Sequence, residues 1–346
     1  MEPILITGGA GYIGSHVCKE LAKNGFLPIV YDNLSTGHAY AVKWGPLVEG
    51  DLQDRNKLDQ TFQIYQPKAV LHFAACAIAV ESMSNPAKYY RNNLYSTLSL
   101  LESMIKARVE LLVMSSTCAT YGHPNFIPIT EEHPQIPINP YGKTKLMIEQ
   151  MLDDFEMAYG MRSIKLRYFN AAGADLETQI GEDHAPETHL IPSCIQSALK
   201  VRDEIVVYGT DFSTTDGSAV RDYIHVQDLA EAHVKALQFL LNERKSMAVN
   251  LGTGKGFSAL EIINAIQKYC GKNLSVRLEQ RRPGEPAFLV ASAQKAKEIL
   301  GWSPKVSDLG VLIDSAWKWH QLLIENSPLL RNTLQRLETK QTLHHQ

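Results

Sequence analysis

The stretch TGGAGYIGSH, Thr7 to His16, follows the apolar run PILI directly and opens the amphipathic segment IGSHVCKELAK. Gly8, Gly11 and Gly14 are spaced G-x-x-G-x-x-G, and Gly9, Gly11 and Gly14 also satisfy G-x-G-x-x-G. At the end of a strand and the start of a helix, glycine lets the chain turn tightly. It also lets backbone N–H groups approach an anion at the positive helix end. Strand, glycine turn and helix in that order open the alternation that a doubly wound sheet requires.

The rest of the first half keeps that rhythm. LPIVYD, PLVEGD, KAVLHFAA, ELLVMSS and SIKLRYFN alternate with helical patterns, among them Lys57–Tyr65, a stretch around Tyr89–Ala107 and the segment after Tyr141. Several of these runs (ILI, AVLHF, LLVM) are nearly continuously apolar, as strands covered on both faces are. The pattern predicts an α/β protein: a Rossmann-type doubly wound parallel sheet over residues 1–176. A smaller C-terminal α/β substrate domain is expected over 177–346, with some of its segments returning to the first. The polar stretch AAGADLETQIGEDHAPETH is long and aperiodic, and long irregular segments in compact domains are usually functional. Residues about 327–346, ending LHHQ, read as a weakly ordered tail.

Composition removes several classes of partner. The formal net charge is -3 with no basic run, so no nucleic-acid footprint is present. No apolar run approaches 18 residues and no charged-then-apolar leader opens the chain, which argues against a membrane span or secretion. The five cysteines are scattered without C-x-x-C, as in a reduced, cytoplasmic protein. None of the twelve histidines forms H-E-x-x-H or another close ligand pair, so no metal is expected. His72 ends an apolar strand and reads as a satisfied core histidine. For His184 and His189, in the long loop, a solvated position and a substrate contact are both open.

Eighteen residues after Gly14, at the end of LPIVYD, stands Asp32. A carboxylate there accepts the hydroxyls of an adenosine ribose. The following NLSTG holds no Arg or Lys to neutralise a 2′-phosphate, which favours NAD over NADP. Asp51, in GDLQD, is placed beside adenine or as a helix cap.

With NAD in view, NPYGKTKLMIE acquires a chemistry. Tyr141 and Lys145 are four apart at a helix start and share a face. A free phenol, with a pKa of about 10, is a poor base. An adjacent ammonium and a cationic nicotinamide both favour the phenolate, fitting Tyr141 to remove an alcohol proton as hydride leaves.

The glycine pattern, HFAA, SSTCATYG and YGKTK together resemble the extended short-chain dehydrogenase/reductase family. DNLSTGH, NPYGKTKLMIEQ, LRYFNAAGAD, THLIP, DGSAVRDYIHV and RRPGEPA resemble its UDP-glucose 4-epimerase branch, up to about Gln321. The resemblance implies that Gly8, Gly11, Gly14, Tyr12 and Ile13 line the pyrophosphate, and that Asp32, Asn33, Leu34, Ser35, Thr36 and Gly37 hold the adenosine half. It puts Asp51 and Leu52 beside adenine, Phe73, Ala74 and Ala75 beneath the cofactor, Asn92 in contact with it and Phe169 near nicotinamide. Tyr141 and Lys145 touch both cofactor and substrate chemistry. Thr117 takes the place of a serine that hydrogen-bonds the sugar O4. Asn170, Leu190, Tyr208, Arg221, Tyr223, Arg282 and Glu285 match positions that hold a UDP-sugar. A homodimer is implied.

The implied reaction is self-contained: Tyr141 takes the O4 proton, the C4 hydride passes to NAD, and the 4-keto sugar rotates and is reduced on its other face. UDP-glucose and UDP-galactose are the expected pair. SSTCATYG and PINPYGK resemble UDP-xylose/UDP-arabinose 4-epimerases as well, and Leu289, where acetamido-excluding members carry Tyr, opens UDP-GlcNAc/UDP-GalNAc. Two further departures are Ala77, where some members have Lys, and Glu285, where Asp is usual. A 4,6-dehydratase needs an Asp-Glu pair after Thr117; here those positions are Cys118 and Ala119. A non-catalytic dinucleotide sensor has no need of Thr117, Tyr141 and Lys145 together. Tyr121 reads as a packing aromatic.

Overall fold

The structure, a computed structural model, describes residues 1–282 and 285–326. The expected tail at 327–346 lies outside the described residues. The chain runs β1 (Glu2–Thr7), α1 (Tyr12–Lys23), β2 (Phe26–Asp32), β3 (Leu47–Glu49), α2 (Arg55–Tyr65), β4 (Ala69–His72), α3 (Ala79–Ser84) and α4 (Pro86–Tyr89). It continues with α5 (Ser96–Ala107), β5 (Leu111–Thr117), α6 (Pro140–Tyr159), β6 (Arg162–Tyr168), β7 (Asn170–Ala172), α7 (Leu190–Ala198), β8 (Ile205–Tyr208) and β9 (Val220–His225). The remainder is α8 (Val226–Glu243), β10 (Met247–Leu251), β11 (Gly256–Ser258), α9 (Ala259–Cys270), β12 (Val276–Glu279), β13 (Phe288–Leu289), α10 (Gln294–Leu300) and α11 (Leu309–Asn326).

Seven strands form one sheet in the order β10-β6-β5-β4-β1-β2-β3, and every pair in it is parallel. The doubly wound sheet expected from the sequence is therefore present. Its central strands are buried on both faces, which is why they read as unbroken apolar runs. One face packs Ile4, Ile6 and Leu71 against Val17 and Leu21 of α1 and Leu229, Leu237 and Leu240 of α8. The other packs Leu5, Val70 and Leu112 against Leu58 and Phe62 of α2, Leu100 and Met104 of α5, and Ile148 and Leu152 of α6. The stretch expected as one helix around Tyr89–Ala107 is α4, a π-helical turn over Tyr90–Tyr95, and α5.

The second unit is built from two small sheets. β9 pairs antiparallel with β11 and parallel with β7 and β13, and β8 pairs with β12. Ile191 and Ile195 of α7, Ile262 and Ile266 of α9, and Leu312 and Ile313 of α11 form its core. α8 and β10 follow this unit's first strands in sequence, yet they complete the large sheet.

Candidate active site

The sheet changes winding direction between β1 and β4: the chain builds outward to β2 and β3, then returns to the other side of β1. A crevice outside the carboxyl ends of those strands is where open parallel sheets hold ligands. The glycine turn leaves β1 there, and Phe73 and Ala74 leave β4, their N–H groups both donating to Thr7 O at 2.9 and 3.1 Å. Gly8 has φ +74°, and a Cβ on it would lie 2.6 Å from Ala74 N. A Cβ on Gly14 would lie 2.2 Å from Gly8 O. Packing dictates both. Gly11 differs, because its Cβ would meet only Gly8 O, at 3.4 Å. Its bare face borders the start of α1, which has no side-chain cap and no acid in its first turn. A helix N-terminus with Tyr12 and Ile13 in its first turn and a side-chain-free approach suits a pyrophosphate.

Asp32 is buried at the end of β2. Its Oδ2 accepts the Ala10 N–H and its Oδ1 the Leu34 N–H, each at 2.9 Å. Burial pushes the carboxyl above its usual range, opposed by those two donors and by His38. Each oxygen keeps a second lone pair, so the group is aimed and still able to accept two hydroxyls. Asn33 donates to Asp51 Oδ2 at 2.8 Å, and Gly37 packs on Ala10, where a Cβ would come within 2.8 Å of Ala10 C. Leu34, Ser35 and Thr36 lie on the same turn, and Leu52, next to Asp51, is buried. Asp51 does not cap α2; Asp54 does, accepting the Lys57 N–H. These residues together fit a dinucleotide carrying a free 2′-hydroxyl.

Tyr141 and Lys145 occupy the first turns of α6, which Asn139 caps by accepting the Gly142 N–H at 2.8 Å, with Pro140 at the first helical position. Thr117 is the last residue of β5; its Oγ1 accepts the Ala119 N–H at 3.1 Å, and its hydroxyl is near enough to the Tyr141 phenol to favour the phenolate. Lys145 is buried and donates to Ser115 O at 2.8 Å. The Tyr89 and Tyr141 rings pack in a T-shape, centroids 6.4 Å apart and planes at 76°. Burial pushes the Tyr141 phenol up to about 12, against the Thr117 hydroxyl, which lowers it. Burial also brings Lys145 down to about 8, against Glu149 and Cys76. The lowering of Tyr141 expected from a neighbouring ammonium thus does not dominate. The Nζ is committed to a carbonyl, and losing water around the phenolate outweighs the Thr117 hydroxyl.

On the opposite wall, Asn170 begins β7 and stands in register with Tyr223 of β9. Arg221, two residues earlier on β9, donates to Val220 O and Pro286 O and pairs with Glu285 at 3.0 Å. The longer Glu285 stem thus reaches the arginine. Arg282 lies over the Tyr208 ring, 3.7 Å from its centroid. Leu190 opens α7 and packs on the core that contains Tyr223. Phe169 lies with Cys118, Tyr121 and Ile129 in a small cluster against which Leu289 packs, next to Thr117 and Asn170. Leu289 faces Arg221 in register, while Phe288 pairs with Val220. Ala75 and Asn92 are half-buried and Ala77 is exposed.

The long loop after β7 is fastened across the crevice. Tyr12 donates to Gly173 O at 2.6 Å and Lys19 to Asp175 at 2.7 Å. Tyr40 donates to Asp183 at 2.6 Å and Lys43 to Gln179 O at 2.8 Å. His184 and His189 are partly exposed, but neither is simply solvated: both contact Glu182 and Glu187. The absence of a close ligand set expected from the sequence does not describe this loop.

Sequence reading passed over two supports. Asn93, fully buried in the π-helical turn, accepts the Cys76 N–H and donates to Cys76 O and Thr144 Oγ1. It pins the loop after β4 to α6. Glu149, one turn beyond Lys145, accepts from Ser116, Arg167 and Gln135. Arg167 also donates to Tyr121 OH, which donates to Asn250. A charged residue inside the apolar run SIKLRYF was the available signal. His72 is the satisfied core histidine expected, between Thr7 Oγ1 and Thr97 Oγ1 at 2.6 and 2.8 Å.

Residues 4–252 match the model of the NAD dependent epimerase/dehydratase family. A UDP-glucose 4-epimerase of Rhizobium meliloti is 51% identical over 317 residues, 92% of this chain and 96% of the relative. The crystal structure of UDP-glucose 4-epimerase from Brucella ovis in complex with NAD superimposes with TM-score 0.89 at 50% identity, covering 92% of this chain and 98% of that one. A UDP-glucose 4-epimerase from Stenotrophomonas maltophila, with bound NAD and formylated UDP-arabinopyranose, gives TM-score 0.90 at 38% identity, covering 94% and 100%.

Proposed function

Since the chain belongs to the NAD-dependent epimerase/dehydratase family, we propose that it interconverts UDP-glucose and UDP-galactose by transient oxidation at sugar C4. The observation that carries this reading is the meeting of Thr117 and Tyr141 at the mouth of the nucleotide crevice, with Lys145 one turn behind. Bound NAD supplies a hydride acceptor that becomes the donor for the return step. Tyr141 removes the O4 proton and later gives it back. Thr117 hydrogen-bonds O4 and holds it against the phenol. Lys145 adds positive charge behind the phenolate.

Asp32 and the Asn33–Gly37 turn hold the adenosine end, with Asp51 and Leu52 flanking adenine. The Gly8–Gly14 turn, Tyr12 and Ile13 hold the pyrophosphate. Phe73, Ala74, Ala75, Asn92 and Phe169 line the rest of the dinucleotide. Asn170, Leu190, Tyr208, Arg221, Tyr223, Arg282 and Glu285 hold the UDP-sugar, and the arginine forks suit a diphosphate. We take residues 1–176 as the cofactor unit and 177–346 as the substrate unit, with segments returning to the first. The protein acts as a homodimer in the cytoplasm; its five unpaired thiols and the absence of a membrane-length apolar helix among the described residues agree with that compartment.

A dehydratase would need an acid and a base after Thr117. Cys118 is buried, its thiol pushed up to about 12, and Ala119 has no proton to give. A second substrate pair, UDP-xylose and UDP-arabinose, is favoured by the pentose nucleotide held by the relative from Stenotrophomonas maltophila. Separate incubations with UDP-galactose, UDP-xylose and UDP-GlcNAc, followed by chromatography of the nucleotide sugars, rank the pairs. No 4-epimer from any of them would reject the proposed activity.

A further inference from the structure

In the loop between β7 and α7 the sequence Glu182-Asp-His184-Ala-Pro-Glu187-Thr-His189 has the spacing Glu-x-His-x-x-Glu-x-His. The fold closes that spacing into one cluster, in which one ligand atom from each of the four residues lies within 4.8 Å of all the others. His189 Nδ1 stands 2.7 Å from Glu182 Oε1 and 2.9 Å from Glu187 Oε1. His184 Nδ1 stands 3.1 Å from Glu182 Oε1 and 3.7 Å from Glu187 Oε2. Four ligands around a tetrahedral ion at about 2.0–2.1 Å are separated from one another by about 3.3 Å. The observed separations straddle that value.

The surroundings support a held ion. Both carboxylates are deeply buried, Glu182 at 3% and Glu187 at 4% exposure. Glu187 Oε1 accepts the Thr188 and His189 N–H groups at 2.7 Å each, which fixes the carboxylate plane. Glu187 Oε2 is buried and accepts no hydrogen bond among the described residues. His320 of α11, also buried, has an Nε2 without a hydrogen-bond partner among the described residues. Trp319 donates to Glu182 O at 2.9 Å and Arg202 to Glu187 O at 3.0 Å, so both ends of the cluster are anchored. His189 is half exposed, which leaves a way in from solvent.

We propose that Glu182, His184, Glu187 and His189 bind one divalent transition-metal ion of the zinc class. Two imidazoles and two carboxylates suit zinc or cobalt, whereas calcium and magnesium take oxygen ligands. Two carboxylates balance the ionic charge, and binding displaces the protons that otherwise bridge the His–Glu pairs. Four protein ligands make a closed, structural site. Its place between Tyr12 and the start of α7 makes it a clamp on the loop that crosses the crevice.

The test uses the whole protein, freed of metal with a chelator and dialysed. Titration with cobalt(II) should give the intense visible bands of four-coordinate cobalt, saturating at one ion per chain and displaced by zinc. Glu187→Gln keeps the side-chain volume and an acceptor oxygen and should weaken binding at least about tenfold, about 1.4 kcal/mol. His189→Ala should do the same, with the far-ultraviolet circular dichroism of both variants matching the parent. His344→Ala/His345→Ala, in the LHHQ tail, should bind as the parent does. Only weak, six-coordinate cobalt bands, or an affinity unchanged by the loop variants and lost with the tail histidines, would overturn the proposal.

Discussion

Tyr141→Phe isolates the proton acceptor. The ring keeps its packing against Tyr89, and losing the hydroxyl removes at most one hydrogen bond, about 1 kcal/mol of stability, which a domain of this size tolerates. The effect on chemistry is larger. With the phenol at about 12 in this structure, lowering it to a useful base near neutrality takes about 4–5 units, or about 5–7 kcal/mol. A unit charge about 4 Å away supplies about 4 kcal/mol at an effective dielectric of about 20. One cation is therefore insufficient, and the cofactor's charge needs Lys145 beside it. Phenylalanine cannot take the proton at all, so turnover should fall by about 10² to 10⁴-fold, while NAD content per chain stays at the parent level. Lys145→Met should move the alkaline rise of activity to higher pH without removing it. The assay is conversion of UDP-galactose to UDP-glucose across pH, with cofactor content read on the same samples. Turnover within a few-fold of the parent in Tyr141→Phe would refute the role of the phenol, and an unmoved pH profile in Lys145→Met would refute the two-cation account.

The glycine turn yields a paired prediction: Gly11→Ala should fold with a melting temperature close to the parent yet lose bound NAD, whereas Gly14→Ala, with its Cβ 2.2 Å from Gly8 O, should lose stability itself. Thermal melts and cofactor content separate the two, and equal melting losses would undo the distinction. Leu289 packs beside Phe169 and Cys118 at the edge of the site, so Leu289→Tyr should depress any turnover of UDP-GlcNAc more than that of UDP-galactose. Equal losses on both sugars would remove Leu289 from the sugar pocket. In deuterium oxide the interconversion should leave no carbon-bound deuterium in either nucleotide sugar and release no NADH, as mass spectrometry and absorbance will show; deuterium on carbon would indicate a dehydratase-like route.

The large sheet was legible because strands such as Ile4–Ile6 and Leu111–Met114 are covered on both faces and carry no alternation to confuse with a surface strand. The glycine turn and Asp32 were legible because backbone geometry at a strand-to-helix junction leaves few residue types that work. The membership of β10 was not, since AVNLG after the long insertion looks like any short strand and only its partner β6 assigns it. The π-helical turn at Tyr90–Tyr95 has a period too near that of an α-helix to stand out. Lys145 was placed on the correct face, but its hydrogen bond to Ser115 O depends on how closely α6 approaches the end of β5, which no local pattern encodes. The four-residue His/Glu cluster escaped for the same reason: loop residues have no periodicity, and their convergence is set by where β7 ends and α7 begins.

The return of α8 and β10 to the large sheet ties translation to assembly. A ribosome that has released residue 176 has made six of the seven strands, but the edge of β6 has no neighbour and the face carrying Ile4, Ile6 and Leu71 lacks its α8 cover. The large sheet is therefore complete only after Leu251 emerges, when α7, β8 and β9 of the second unit have already been made. A gene cut at the apparent boundary would encode a sheet lacking its last strand, with β6 left as a sticky edge.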